Sequence, residues 1–198
     1  MTGRGGVSRE ADLVALIAAD DRRMAALAIV GSLGLADCWI GAGFVRDAVW
    51  DHLHGRPPAM PHGDVDVLYF DRGNLAHDND AALERRLRIA APELDWSVRN
   101  QARMHVRNGD RPYRSVRDAM RFWPETATAV AIRLAADGVI EVNAPFGLED
   151  LYLLRLVPTE TFVARKRAIF DKRITDKNWM ARYPLLRAIQ SDPPFSGV

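Results

Sequence analysis

The sequence has little of what would mark a secreted, membrane-bound or polycationic protein. Its single cysteine, Cys38, excludes an internal disulfide, and its setting in DCWIG predicts a small buried side chain on a strand. No apolar run approaches the roughly 20 residues of a membrane-spanning helix, and the first residues, MTGRGGVSREADL, lack the hydrophobic centre of a signal peptide. The net charge of +1 argues against wholesale coating of nucleic acid. These absences predict a cytoplasmic protein that does not associate with membranes.

What remains is the composition of a globular protein. With 198 residues, 48% of them hydrophobic and 27% charged, the chain can bury one substantial core. We expect an α/β core over residues 1–150 and a basic, helical extension over residues 151–198 that packs on it. Residues 161–190 hold eight Lys or Arg against two Asp, a net charge of +6. These charges indicate either a solvated helix face or, beside a cleft, a surface that steers a triphosphate or RNA.

Hydrophobic periodicity and turn signals predict a mixed order of helices and strands. The first predicted elements are two helices within 8–32 capped by Ser8 and Asp20, a strand at ADCWI, a helix from about Phe44 to His54 and a strand over 64–70. They are followed by a helix over 81–90 capped by Asp80 and a strand signal over 94–106. The last are a short helix ended by Pro124 and a hairpin that turns at Asp137-Gly138. Because the order does not alternate strictly, we expect an α+β fold: a mixed sheet with helices packed mainly on one face and a helical C-terminal extension.

Two aspartates, Asp64 and Asp66, open the predicted strand DVDVLYF. Side chains two residues apart on a strand project from the same face, with their Cα atoms about 7 Å apart. Two carboxylates so close repel each other unless a cation lies between them. A pair of divalent ions about 3.5–4 Å apart removes that repulsion and suits in-line displacement at phosphorus. Magnesium is the expected ion, with manganese as the alternative.

The segment GAGFVRD supplies a matching place for phosphates. Gly41 and Gly43 allow the backbone to approach a phosphate closely, and the following helix points its free N–H groups at the turn. In the first turn of that helix, Arg46 can pair with a phosphate or a carboxylate, and Asp47 is favoured by the helix dipole.

These residues together resemble a known superfamily. GAGFVRDAVWDHLHG followed by DVDVLYFD resembles the nucleotidyltransferases typified by DNA polymerase β and the CCA-adding enzymes. The run from IGAGFVRD through WSVRNQARMH to APFGLEDLY is similar to a bacterial group of nucleotidyltransferase-like proteins of unassigned substrate. The resemblance implies a polymerase β-like fold and transfer of a nucleoside monophosphate from an NTP, with release of pyrophosphate. It implies Gly41 and Gly43 as the phosphate turn, and Asp64 and Asp66 as metal ligands.

The sequence departs from the superfamily pattern in two places. Many active members carry a third carboxylate, for which Asp95 is the first candidate and Glu141 the second. The nucleotide-recognition motif of the CCA-adding enzymes has no clean match. VRNQA occupies a comparable place, so we expect Arg99 and Asn100 to contact the nucleotide.

Two other functions remain open at this point. A module of the same fold can bind nucleotide or a partner without catalysis, and the doubtful third carboxylate keeps that alternative. A dinucleotide-binding domain is the second, because Gly41-x-Gly43 is followed by an acid at about the expected distance, although Arg46 stands where a third glycine is wanted. For the transferase, the acceptor is unknown: an RNA end, a protein hydroxyl or a small molecule.

Overall fold

The computed structural model describes residues 8–163 and 165–189. The helices are α1 Arg9–Ala18, α2 Asp21–Gly31, α3 Gly43–Leu53, α4 His77–Ala90, α5 Gln101–Asn108, α6 Val116–Met120, α7 Glu149–Tyr152, α8 Glu160–Val163, α9 Arg167–Lys177 and α10 Trp179–Arg182. The strands are β1 Cys38–Gly41, β2 Val65–Tyr69, β3 Trp96–Asn100, β4 Ala131–Leu134, β5 Ile140–Asn143, β6 Arg155–Leu156 and β7 Arg187–Ala188.

Five strands form one mixed sheet in the order β3-β2-β1-β4-β5. Strand β1 is antiparallel to both of its neighbours, β4 and β5 form the predicted hairpin, and β2 and β3 run parallel. Strands β6 and β7 make a separate parallel pair. The predicted α+β class with a mixed sheet is confirmed.

The two faces of the sheet are covered unequally. Alternate residues such as Ile40, Val65 and Val67 belong to the main hydrophobic core, to which α1, α2, α3 and α4 also contribute. The opposite face carries a small cluster of Trp39, Leu68 and Ala131 with two residues of α6. The helices therefore lie mainly on one face, as predicted, which leaves the other face for Asp66, since it alternates with Val65 and Val67.

The predictions for the helix caps and for Cys38 in the N-terminal part of the chain are confirmed. Ser8 Oγ accepts a hydrogen bond from the Ala11 N–H at 3.2 Å, and Asp20 Oδ1 accepts from the N–H groups of Arg22 and Arg23 at 3.1 Å. Both residues are the predicted N-caps. Cys38 is buried on β1, and burial, followed by the charge of Asp37, raises the pKa of its thiol to about 12.

One prediction in the middle of the chain was wrong. Helix α4 begins at His77, so Asp80 is no cap but a buried helix residue that accepts from the Tyr69 hydroxyl at 2.7 Å and pairs with Arg103. Sequence periodicity missed this because the partners of Asp80 come from other elements. The strand indicated within 94–106 is β3, which ends at Asn100, and the Asn100 side chain caps α5.

The C-terminal extension is not wholly helical, since it contains β6 and β7. Its apolar side chains Phe162, Phe170, Ile174, Trp179 and Tyr183 join the main core. The Pro/Ser/Gly tail lies outside the described residues. Within the described part of the chain, no helix has both the length and the apolar character that a bilayer crossing requires.

Candidate active site

A polar cleft lies where β1 turns into α3 beside the start of β2. Gly41 is the cross-strand partner of Asp66, which puts the turn next to the carboxylates. The cleft has a volume of about 250 Å³ and is lined by Ala42, Gly43, Arg46, Asp47, Pro61, His62, Gly63, Asp64, Asp66, Arg173 and Lys177. The structure thus brings together four of the predicted site residues, Gly43, Arg46, Asp64 and Asp66. Gly41 lies next to them as the cross-strand partner of Asp66.

The turn is strained at its alanine rather than at its glycines. Ala42 has φ 52° and ψ −120°, a positive-φ conformation that is uncommon for a residue with a side chain. Gly41 and Gly43 lie where a side chain would meet its neighbours closely. A Cβ on Gly41 would lie 2.9 Å from Leu68 Cδ1, and one on Gly43 would lie 3.3 Å from Arg46 Nη2. Because α3 starts at Gly43, which lines the cleft, the N–H groups of Gly43 and Phe44 have no partner inside the helix.

Arg46 and Asp47 form a buried pair that ties the helix to its surroundings. Asp47 Oδ1 accepts from Arg46 Nε at 2.8 Å, and its Oδ2 accepts from the His62 N–H at 3.2 Å. The Arg46 guanidinium lies 5.1 Å from the ring centroid of Trp50 and 4.7 Å from that of Trp179. Asp47 therefore connects α3 to the loop that leads into Asp64, and much of the Arg46 charge is already compensated.

Asp64 and Asp66 carry the negative charge of the cleft. Asp64 is exposed and Asp66 is partly buried. Burial, and then the charge of Asp64, raise the pKa of Asp66 from its ordinary 3.8 to about 6. Two adjacent carboxylates that offer only hard oxygen atoms fit the requirements of Mg²⁺ or Mn²⁺.

Two further cations reach the cleft from α9. Both Arg173 and Lys177 line the cleft, and they lie four residues apart on one face of the helix. The sequence analysis predicted no site residue in this segment. The signals that could have found them were the net charge of +6 and the i, i+4 spacing. Elsewhere on α9, Arg167 pairs with Asp171 on the surface. Part of the basic segment is therefore a solvated face, and part belongs to the cleft.

The two candidates for a third carboxylate do not line the cleft. Asp95 is exposed just before β3, where its backbone oxygen accepts from the Val65 N–H at 2.7 Å. Glu141 lies on β5 and accepts from Arg133 Nε at 2.6 Å. In residues 8–163 and 165–189, no cluster of three or more His, Cys, Asp or Glu side chains is arranged to hold a metal ion. The structure therefore leaves the position of a third carboxylate unassigned.

Arg99 and Asn100 also lie away from the cleft. Arg99 pairs with Glu84 of α4 at 2.7 Å. Asn100 is fully buried: its amide donates to the backbone oxygens of Asp71 and Asn74, and its oxygen accepts from the N–H groups of Asp71 and Ala102. These contacts give Asn100 a structural function that motif matching could not reveal.

Solved structures with similar folds include enzymes that process tRNA. An NMR structure described as revealing a CCA-adding enzyme head domain matches with a TM-score of 0.83 and 31% identity, over 96% of this chain and 100% of that one. A tRNA-processing enzyme in an apo form matches with a TM-score of 0.52 and 17% identity, over 83% of this chain and 45% of the other. A CCA-adding enzyme in complex with CTP matches with a TM-score of 0.50 and 13% identity, over 86% and 47%. This chain spans less than half of the latter two enzymes, and those two matches show the fold alone.

The fold is that of the polymerase β-like nucleotidyltransferases. A family model described as Nucleotidyltransferase matches residues 28–188, and no curated protein matched the sequence. The chain belongs to this nucleotidyltransferase family and is an enzyme of the nucleotidyltransferase type. The dinucleotide-binding alternative requires parallel strands on either side of the helix, whereas β1 and β2 are antiparallel.

Proposed function

We propose that the enzyme transfers a nucleoside monophosphate from an NTP to an acceptor hydroxyl, with release of pyrophosphate, in a reaction that depends on Mg²⁺ or Mn²⁺. One observation carries the proposal: Asp64 and Asp66 share a single cleft with Arg46, Arg173 and Lys177. Carboxylates hold divalent ions and cations hold phosphates, so the same cleft can receive a metal-bound triphosphate.

Each lining group has a defined task in this proposal. Asp64 and Asp66 would hold the divalent ions, which supply charge neutralisation at the reacting phosphate. The N–H groups at the start of α3 donate to phosphate oxygens, and Gly43 leaves room for them. Asp47 fixes Arg46 and the loop before Asp64, so that the phosphate-binding and carboxylate parts keep their spacing. The third carboxylate is a separate proposal, with Asp95 and Glu141 as its candidates.

The acceptor is proposed from a set of three classes: an RNA end, a protein hydroxyl or a small molecule. Structures of similar fold are described as a tRNA-processing enzyme and as a CCA-adding enzyme with CTP. RNA ends are therefore the first acceptors to try, and CTP belongs among the nucleotides to compare.

Calorimetry tests the nucleotide and metal parts together. ATP, GTP, CTP and UTP are titrated into the protein with and without Mg²⁺, and the best binder is repeated on Asp64→Asn, Asp66→Asn and, as a matched control, Asp78→Asn. Asp78 is an exposed carboxylate of α4 that does not line the cleft. We expect binding that requires Mg²⁺, is lost in the first two variants and is kept in the control. Metal-independent binding, or equal binding by all variants, would contradict the proposal.

Pyrophosphate release then tests the transfer. The best NTP is incubated with RNA ends, protein extracts and small-molecule hydroxyl acceptors, using the wild type and the Asp64→Asn, Asp66→Asn, Asp95→Asn and Glu141→Gln variants. Release that depends on Asp64 and Asp66 supports transfer, and loss in either of the other two variants identifies a third carboxylate. Magnesium-dependent binding without release for any acceptor would instead support the non-catalytic nucleotide-binding module.

A further inference from the structure

The C-terminal extension contacts the candidate active site through a tryptophan. The ring of Trp179, the first residue of α10, contacts two guanidinium groups, with its centroid 4.7 Å from that of Arg46 and 5.2 Å from that of Arg173. The side chain is 2% exposed and packs edge-on against Trp50 at 5.9 Å. Asn178, with φ 48° in the left-handed region, ends α9 and leads directly into Trp179 at the start of α10. Arg173 is thereby held in a fixed place relative to Arg46.

A buried carboxylate holds Arg173 from the other side. Glu125 is fully buried, and its Oε1 accepts from Arg173 Nε at 2.8 Å. Its Oε2 accepts from the Thr128 hydroxyl at 2.8 Å. A buried carboxylate is costly unless it is paired, so this contact fixes both partners. Arg173 lines the cleft, and within the described residues its two terminal nitrogens make no hydrogen bond.

Lys177 carries the positive charge that the cleft has to spare. Arg46 is compensated by Asp47 and Arg173 by Glu125, whereas Lys177 is exposed and makes no ion pair within the described residues. Lys177 lies one helical turn beyond Arg173, so both side chains reach the cleft from the same face. Lys177 therefore offers a full positive charge to an anion, and Arg173 offers the N–H groups that Glu125 does not occupy.

We propose that Arg173 and Lys177 bind the β- and γ-phosphates of the NTP, and that Glu125 and Trp179 position Arg173 for this contact. The inference rests on the proposed function and makes the C-terminal extension part of the substrate site. In the transfer, the acceptor oxygen bonds to the α-phosphorus as its proton passes to solvent. The bond from the α-phosphorus to the bridging oxygen breaks, and its electron pair stays on that oxygen. Pyrophosphate leaves with the added negative charge, which the two cations stabilise.

The test uses the best-binding NTP and inorganic pyrophosphate as probes, both with Mg²⁺. Lys177→Ala is the primary variant, because an exposed side chain is removed without disturbing the core. Lys172→Ala is its matched control: it removes the same charge from the same helix, but Lys172 pairs with Asp176 and does not line the cleft. We expect Lys177→Ala to weaken both probes by about tenfold, and the control to weaken them by less than about twofold.

Arg173 is tested in a way that protects the fold. Arg173→Ala would leave Glu125 buried without its cation, so the double variant Glu125→Gln, Arg173→Gln, which removes both charges, accompanies it. We expect about a tenfold loss of pyrophosphate affinity in the double variant. Glu125→Gln alone should weaken pyrophosphate binding while Arg173 is present and have no further effect once Arg173 is glutamine. A merely structural Glu125 would lower the melting temperature without this coupling in affinity.

The outcomes separate this inference from the proposed function. If Lys177→Ala and the double variant bind both probes as tightly as Lys172→Ala, while Asp66→Asn abolishes NTP binding, the role of α9 is wrong and the proposed function stands. If the wild type binds pyrophosphate but no NTP, and the α9 variants lose pyrophosphate, the anion site stands and the proposed function fails. If the wild type binds neither probe, both are wrong.

Discussion

Gly41 and Asp66 are direct cross-strand partners on β1 and β2, so the turn before α3 and the paired carboxylates lie at the same edge of the sheet. A side chain at position 41 would meet Leu68, the residue two places after Asp66 on the same face. The glycine therefore keeps the strand pair close, while Ala42 carries the strain of the turn. From this arrangement, and from the buried polar groups around it, four predictions follow that solution experiments can check.

Asp66→Asn should stabilise the metal-free protein at neutral pH. The pKa of Asp66 is about 6 in the fold against 3.8 ordinarily, so the folded state holds this proton more tightly than the unfolded state. Ionised Asp66 thus destabilises the fold: the effect is absent below about pH 4, grows up to about pH 6 and is complete above it. We expect the free energy of unfolding of the variant to exceed that of the wild type by about 1–2 kcal/mol at pH 7 and to equal it near pH 4. Urea unfolding in the presence of a metal chelator measures this difference, with Asp78→Asn as the control. Equal stabilities of the wild type and Asp66→Asn at pH 7 would contradict the expectation.

Ala42→Gly should not destabilise the protein, unlike an ordinary alanine-to-glycine change in a helix. At φ 52° the alanine pays a conformational penalty that glycine does not. Ala48→Gly in the middle of α3 is the control and should cost about 1 kcal/mol. Thermal unfolding of both variants measures the two changes in stability. A loss of stability at position 42 as large as that at position 48 would show that the turn is not strained.

Asp80→Asn should lower the free energy of unfolding by about 2–4 kcal/mol. The substitution removes the carboxylate that pairs with the largely buried Arg103 and accepts from the Tyr69 hydroxyl. Because Arg103 Nε already lacks a partner within the described residues, the guanidinium would be left poorly compensated. The double variant Asp80→Asn, Arg103→Met should recover part of the loss. Chemical denaturation compares the three proteins, and a single variant as stable as the wild type would refute the pair's importance.

Asn100→Ala should destabilise the protein by about 2–4 kcal/mol without changing NTP affinity below the unfolding transition. Four hydrogen bonds to backbone groups are lost from a fully buried side chain. Arg99→Ala removes an exposed ion pair and should cost less than about 1 kcal/mol. Unfolding and calorimetry are run on both variants. A lower NTP affinity in either folded variant would instead support the nucleotide contacts that the sequence predicts for these residues.

Local signals account for the parts that could be predicted. Oxygen-bearing side chains before apolar helical runs identified the caps Ser8 and Asp20, and the Asp137-Gly138 step identified the hairpin. Asp80 was misjudged because it resembles a helix cap in sequence, while its partners come from other elements. Tyr69 and Arg103, which surround Asp80, are distant in sequence from each other, and no local pattern joins them.

The sequence by itself determined that Asp64 and Asp66 share a face and that a glycine-bounded turn and a helix precede them, because side-chain periodicity and turn chemistry act over a few residues. Only the tertiary structure decided that Arg173 and Lys177 line the same cleft, that Trp179 contacts two arginines, and that burial raises the pKa of Asp66. Helical periodicity defines which residues of α9 share a face, but the element that this face meets depends on how the whole core packs. Desolvation likewise depends on every neighbour that excludes water, wherever that neighbour lies in the chain.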